Sequence, residues 1–87
     1  MSGELGIPPA GWSANDDRLQ AQFVFESFAA AIAFVNRVAE QADSMNHHPD
    51  IDIRYNRVRL VLTTHDAGGL TALDYELAAL ISGSLDS

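Results

Sequence analysis

The sequence has no cysteine and no lysine, and only one tryptophan. Without cysteine, neither a disulfide framework nor a thiolate metal site is available. Without lysine, all five positive charges are arginines: Arg18, Arg37, Arg54, Arg57 and Arg59. They stand against twelve acids, for a formal net charge of −7. That field repels phosphate chains, and Tyr55 is the only aromatic interleaved with the arginine cluster at 54–59, so nucleic-acid binding is set aside. The cluster reads as a solvated hairpin face. Long apolar runs are also missing. The most apolar stretch, SFAAAIAFVNRV from Ser27, breaks at Asn36 and Arg37 and is too short to cross a bilayer. The start, MSGELGIPPAGW, lacks the basic head and apolar run of a secretory signal. A cytoplasmic protein is expected, with no membrane partner. Repeats and low-complexity segments are absent too.

What is present suits one small globular unit. The chain has 87 residues, 47% of them hydrophobic. A chain of this size buries roughly 60–65% of its unfolded surface, enough for one modest core. Residues 1–10, with two glycines and two prolines, read as a flexible leader. A single domain is expected over 11–83, with a tail at 84–87.

Period-2 and period-3.6 patterns alternate along the domain. GWSA at Gly11 is a short strand, and Asn15-Asp16-Asp17 a turn. RLQAQFVF then alternates, with Leu19, Ala21, Phe23 and Phe25 on one face. Phe28, Ala31, Ile32, Val35, Val38, Ala39 and Ala42 trace one face of a helix, capped by Ser27. Its pattern fades over Asp43–Asn46, and Pro49 disfavours helical geometry at His48. IDIRY alternates Ile51, Ile53 and Tyr55 against Asp52 and Arg54. Asn56 marks a tight turn, and Val58, Leu60 and Leu62 continue the apolar side of the next strand. Gly68 and Gly69 loosen the loop after His65. Thr71 and Asp74 form the capping box of a last helix, with Leu70 and Tyr75 as its staple. Leu73, Leu77, Leu80 and Ile81 are its expected buried stripe, and Gly83 its left-handed cap. The order β-β-α-β-β-α predicts an α+β fold: two layers, with an antiparallel four-stranded sheet and two helices on one face.

All three histidines lie at element ends. The segment MNHHPD places His47 and His48 where the first helix stops and an extended strand begins. His65 ends the strand that returns from the hairpin. Antiparallel pairing brings residues near 47–50 beside residues near 63–66. Such a cluster has three readings. Three histidines and a water suit zinc, although adjacent ligands are awkward. Imidazoles also cap helix ends and fill polar gaps. Imidazole is, finally, a side chain that takes and gives a proton near neutral pH. Asp74 is explained by its capping box, yet a carboxylate at a helix start can also orient an imidazole. Asp43, four residues before His47, is a helix-end acid or a residue that fixes a histidine tautomer. Asp66 reads as a loop acid; Met45 and Trp12 read as core.

The stretch NHHPDIDIRYNRVRLVLTTHDAGGLTALD resembles the signature of the pterin-4a-carbinolamine dehydratases. The likeness rests on His47-His48-Pro49, Tyr55, Val58, Thr64-His65-Asp66, Gly69-Leu70 and Asp74. Gly11-Trp12 and FVFESFAAAIAFV also match, so the resemblance spans about Gly11 to Ile81. It implies dehydration of 4a-hydroxytetrahydrobiopterin to the quinonoid dihydropterin, in the recycling of tetrahydrobiopterin. No metal and no organic cofactor would be required. By resemblance, His47 and His65 form the acid–base pair, and His48 binds and positions the pterin. Asp74 completes the catalytic set from the helix start. Asp43, Pro49, Thr63 and Thr64 belong to the pterin contacts, with the backbone at Thr63 and Thr64 meeting the polar edge of the ring.

The same resemblance implies a homodimer or homotetramer, and a pathway partner that is an aromatic amino acid hydroxylase. Two departures stand out. Relatives commonly carry an extra helix before the Gly-Trp, where only ten residues precede Gly11 here. Ile51 stands where some relatives have tryptophan. Two alternatives to an enzyme share the fold: a non-catalytic pterin-binding or assembly module, and an interaction adaptor using the outer sheet face, where Val61 sits among arginines.

Overall fold

Four short strands with alternating side chains form the sheet, and the dry side of that sheet positions everything else. A computed structural model describes residues 7–85, the His65 side chain excepted. Strands β1 (Trp12–Asn15) and β2 (Arg18–Val24) form one hairpin; β3 (Asp50–Arg54) and β4 (Arg57–Leu62) form another. All pairings are antiparallel, in the order β1-β2-β4-β3. Helix α1 (Phe28–Met45) joins the hairpins, and α2 (Ala72–Ser84) follows β4 after a single turn of 3₁₀ helix at His65–Ala67. The expected α+β order is therefore the observed one.

Both hairpins close through two residues whose first member has a left-handed φ, Asp16 at 56° and Tyr55 at 55°. Aspartate tolerates that region; tyrosine does so less readily. The second turn is held instead by Asn56, whose side-chain amide donates to the Phe25 carbonyl at 2.8 Å, while Phe25 N–H donates to the Asn56 carbonyl at 2.9 Å.

The core is the set of side chains on one sheet face: Leu19 and Ala21 of β2, and Val58, Leu60 and Leu62 of β4, against Ala31, Phe34, Val38 and Ala42 of α1 and Leu77, Ala78 and Ile81 of α2. Each large aliphatic side chain taken out of water this way stabilises the fold by roughly 1.5–3 kcal/mol. Phe34 meets Phe25 and Phe23 at ring-centroid distances of 4.9 and 5.2 Å, and Trp12 closes the far side edge-on to Phe23 at 6.2 Å. The Trp12 indole N–H donates to Ser82 Oγ, which donates to the Ala10 carbonyl. The end of the expected leader is thus tied to α2; residues 1–6 of it, and 86–87 of the expected tail, lie outside the described residues.

Four sequence expectations are corrected. Phe28 and Ala39 are exposed, and Phe34 is buried, because α1 is rotated from the stripe its alanine-rich pattern suggests. In α2, Leu73 and Leu80 are 42% and 47% exposed, and Asp74 and Ala78 occupy the buried side with Leu77 and Ile81. Gly83 is no left-handed cap: the helix runs through it to Ser84 and ends at Leu85 with φ −75°. Ile51 and Tyr55 are exposed because β3 is an edge strand that the helices do not cover.

Candidate active site

The end of α1 determines where the histidines go. Asn46 takes a left-handed conformation, φ 52° and ψ 42°, and its N–H donates to the Asp43 carbonyl, while His47 N–H donates back to the Ala42 carbonyl at 3.1 Å. This is a Schellman closure, in which asparagine substitutes for the usual glycine. It stops the helix abruptly and delivers His47 and His48 to the mouth of the β3–β4 hairpin. Opposite them, β4 ends at Leu62, and Thr64 is held by a two-way backbone pair with Gly69: Thr64 N–H to Gly69 O at 3.1 Å and Gly69 N–H to Thr64 O at 3.2 Å. Gly68, with φ 75°, allows the intervening loop to close.

Helix α2 begins beside this loop. Thr71 is its N-cap, accepting from Leu73 N–H, and the Asp74 carboxylate reaches back to Thr71 N–H at 2.9 Å through Oδ2. The capping box thus occupies one oxygen of Asp74. Oδ2 also accepts from the Thr64 hydroxyl at 2.8 Å, and Oδ1 lies 2.6 Å from His47 Nε2. Asp74 is fully buried, and it is the only buried charged residue among those described. A buried carboxylate is costly unless hydrogen-bonded; here three donors surround it.

Proton counting orders the network. Each hydroxyl has one hydrogen to donate. Thr64 gives its own to Asp74, so Thr71 must donate to Thr64 across their 2.8 Å contact. A carboxylate only accepts, so His47 donates from Nε2. Its other nitrogen, Nδ1, is then the one left to exchange a proton with a ligand, and it has no protein partner among the described residues.

His48 makes a similar contact on the outside, Nε2 to Asp43 Oδ1 at 2.9 Å. Both histidines line a cleft of about 290 Å³ with Asn46, Thr63, Thr64 and Asp66. That volume lies at the lower end for small-molecule sites, roughly 300–1,000 Å³. A larger depression of about 490 Å³ lies over Met45, Glu76, Ala79 and Leu80, but it lacks imidazoles and a buried carboxylate. Chemistry rather than volume selects the histidine cleft. Thr63 turns its hydroxyl away, donating to the Asp17 carbonyl at 2.7 Å. Asp43 reaches the cleft only through His48, and Pro49 is half-buried outside the cleft lining. His65 opens the 3₁₀ turn directly after Thr64, and its side chain lies outside the described residues.

Sequence reasoning missed three participants. Asn46 needs its left-handed geometry to be noticed. Asp66, read as a loop acid, lines the cleft. The Thr64 hydroxyl serves Asp74, where only its backbone was expected to act. No cluster of three or more metal-ligating side chains occurs among the described residues.

A family model described as pterin 4 alpha carbinolamine dehydratase matches residues 3–83. A protein of Acidobacterium capsulatum, provisionally named as such a dehydratase, is 57% identical over 74 residues, covering 85% of this chain and 80% of that one. A protein of Chloroflexus aurantiacus with the same provisional name is 60% identical over 70 residues, 80% of this chain and 75% of its own. Among solved structures, the transcriptional coactivator/pterin dehydratase from Brucella melitensis superposes with a TM-score of 0.82 at 31% identity, over 86% of this chain and 82% of that one. A pterin dehydratase-like protein identified as a RuBisCO assembly factor superposes at 0.68 with 19% identity, over 94% of each chain, a likeness of fold.

Proposed function

This chain belongs to the pterin 4 alpha carbinolamine dehydratase family, and on that premise we propose that it dehydrates 4a-hydroxytetrahydrobiopterin to the quinonoid dihydropterin by histidine acid–base catalysis. The observation that carries the reading is the buried His47–Asp74 pair at the wall of a cleft. The elimination puts a proton on the departing C4a hydroxyl and takes one from N5. Water leaves as the C4a–O bond breaks, and the electron pair of the N5–H bond closes a C4a=N5 double bond. Each step needs one proton carrier, and neutral imidazole and imidazolium are the two forms required.

His47 presents Nδ1 while Asp74 fixes Nε2–H, so one nitrogen is committed and the other is available. His65 is the second member of the acid–base pair by family likeness. His48, exposed and held by Asp43, binds and positions the ring. The backbone at Thr63 and Thr64, in the cleft lining, meets the pterin's polar edge. No cofactor is required. The substrate comes from an aromatic amino acid hydroxylase, the protein works in the cytoplasm, and it associates as a homodimer or homotetramer. The half-exposed Leu73 and Leu80 of α2 support self-association. No helix among the described residues is long and apolar enough to cross a membrane.

The likeness to an assembly factor concerns the fold and does not favour the non-catalytic reading. The fully buried carboxylate supports the catalytic reading, because it holds one nitrogen of His47 and leaves the other for proton exchange.

The test generates the carbinolamine in situ and follows its decay. Wild-type protein should accelerate the spontaneous reaction, and a His47→Ala/His65→Ala double variant should lose about 10²-fold or more of that acceleration. Equal decay with and without wild-type protein would overturn the proposal, and full activity in the double variant would remove the acid–base assignment.

A further inference from the structure

Four of the five arginines lie on the side of the sheet that the helices leave bare. Alternation along the strands puts Arg18, Gln20 and Gln22 of β2, Arg57, Arg59 and Val61 of β4, and Asp50, Asp52 and Arg54 of β3 on that side. A chain of formal charge −7 thus concentrates four positive charges against two aspartates on one surface.

The arrangement there is unfavourable to the isolated protein. Arg54 and Arg57 are directly opposed cross-strand partners, and Arg59 follows two residues along β4. Like charges directly opposed in a sheet destabilise it. Local partners relieve this little. Arg54 reaches Asp52 only through Nε at 3.5 Å, Arg59 uses one nitrogen on Gln20 at 3.2 Å, and Arg57 has no partner among the described residues. Three guanidiniums with unused donors therefore line an open depression of about 320 Å³ together with Gln22 and Asp52, the latter directly opposite Arg59. Val61, the residue that draws attention in the sequence, is half-buried; the arginines dominate the surface.

We propose that the Arg54–Arg57–Arg59 end of the open sheet face docks an extended acidic segment of a partner protein, with carboxylates on alternate residues. Three features select that occupant. Guanidinium forks match carboxylates in paired hydrogen bonds. Arg57 and Arg59 are two residues apart on a strand, about 6.6–6.8 Å, which is also the spacing of alternate side chains on an extended peptide. Asp52 and Asp50 sit among the arginines and accept backbone N–H groups, which an extended peptide offers and a phosphate chain does not. The remaining candidates fit less well. The depression's lining of Gln22, Asp52 and three arginines has no apolar or aromatic wall, which small-molecule sites normally provide. A single-stranded nucleic acid finds no aromatic on this face to stack its bases, since Tyr55 stacks on Phe28 at 6.4 Å.

The experiment measures fluorescence anisotropy of a short labelled peptide alternating glutamate and threonine. Wild-type protein should bind it saturably and bind the glutamine version at least about tenfold more weakly. An Arg57→Gln/Arg59→Gln variant should lose about tenfold or more in affinity while its carbinolamine turnover stays at the wild-type rate. Its Tm should rise by about 2 °C, because a like-charge contact is removed. No saturable binding, equal binding of the glutamine peptide, or undiminished binding by the variant would overturn the proposal. So would tighter binding of an oligothymidylate of equal length, a fall in Tm, or a loss of turnover in the variant.

Discussion

His47 and His48 are chain neighbours, and each sets Nε2 against the Oδ1 of an aspartate, at 2.6 Å to Asp74 and 2.9 Å to Asp43. On distance alone the two pairs are nearly equivalent. Their surroundings are not. The His47 and Asp74 side chains are 11% and 0% exposed; those of His48 and Asp43 are 57% and 79% exposed. Water competes for the outer pair at every moment and screens it. The inner carboxylate has only protein donors, and the Thr64 and Thr71 groups that serve it are themselves ordered by β4 and the start of α2. One contact therefore commits a tautomer, and its neighbour is an ordinary solvent-exposed hydrogen bond. The difference comes from which secondary structures meet at each carboxylate.

The largest expected effect breaks the inner pair. Asp74→Asn keeps the shape and removes the charge. Asparagine can present its NH₂ to His47, so the ring would accept at Nε2 and carry its proton on Nδ1. Carbinolamine turnover should fall about 10²-fold, and stability should drop by about 2–3 kcal/mol as charge-assisted bonds are lost. Nitrogen-15 NMR of the histidine rings separates the two consequences: wild type should show His47 protonated at Nε2, the variant at Nδ1. An unaltered tautomer in Asp74→Asn would show that the carboxylate does not set it.

A smaller effect is expected one step further from the ring. Thr64→Val removes a hydroxyl without changing side-chain shape, leaving Asp74 one donor short and the Thr71 hydroxyl without its acceptor. The cost should be about 1.5 kcal/mol in urea unfolding, with turnover down about tenfold. Thr64→Ser should restore both. If valine and serine behave alike, the network contributes packing and not hydrogen bonding.

Gly83→Ala probes the far end of the same helix, away from either pair. Gly83 sits inside α2, and a methyl group added there would meet nothing within 4 Å. Alanine should therefore raise stability by about 0.5 kcal/mol and leave turnover unchanged. A left-handed cap there would give the opposite sign, a loss. The measurement is a urea midpoint beside the standard assay, and it calibrates how far stability can move while the inner pair stays intact.

The reach of the sequence differs between these places for physical reasons. The two hairpins and the approach of residues 47–48 to 63–66 are legible, because period-2 alternation and a two-residue turn leave a hairpin almost no freedom. The capping box is legible because Thr71 and Asp74 are three residues apart. Helix phase is not. In α1, alanines occur on every side, so the choice between Phe28 and Phe34 falls to tertiary packing. In α2, Leu73 and Leu80 look like core by composition, yet Asp74 occupies the buried side because its partners include Thr64, just past β4, and His47, just past α1. The bond from Thr64 to Asp74 joins residues ten apart through a loop whose closure depends on Gly68, and no local pattern announces it. Gly83 shows the converse: a glycine near a helix end suggests a cap by rule, but the chain simply continues.

The smallest effect tests the outer pair directly. Asp43→Asn removes the charge beside His48 while leaving the α1 backbone and the Asn46 closure in place, since those use only main-chain groups of residue 43. Both partners are largely exposed, so the pair's Coulomb gain is offset by hydration and side-chain entropy. Stability should change by no more than about 0.3 kcal/mol. Turnover at saturating substrate should hold, and KM should rise about twofold, because Asp43 acts only through the orientation of His48. A fall in kcat comparable to that of Asp74→Asn would mean that water does not weaken the outer contact as its exposure requires, and the distinction between the two pairs would collapse.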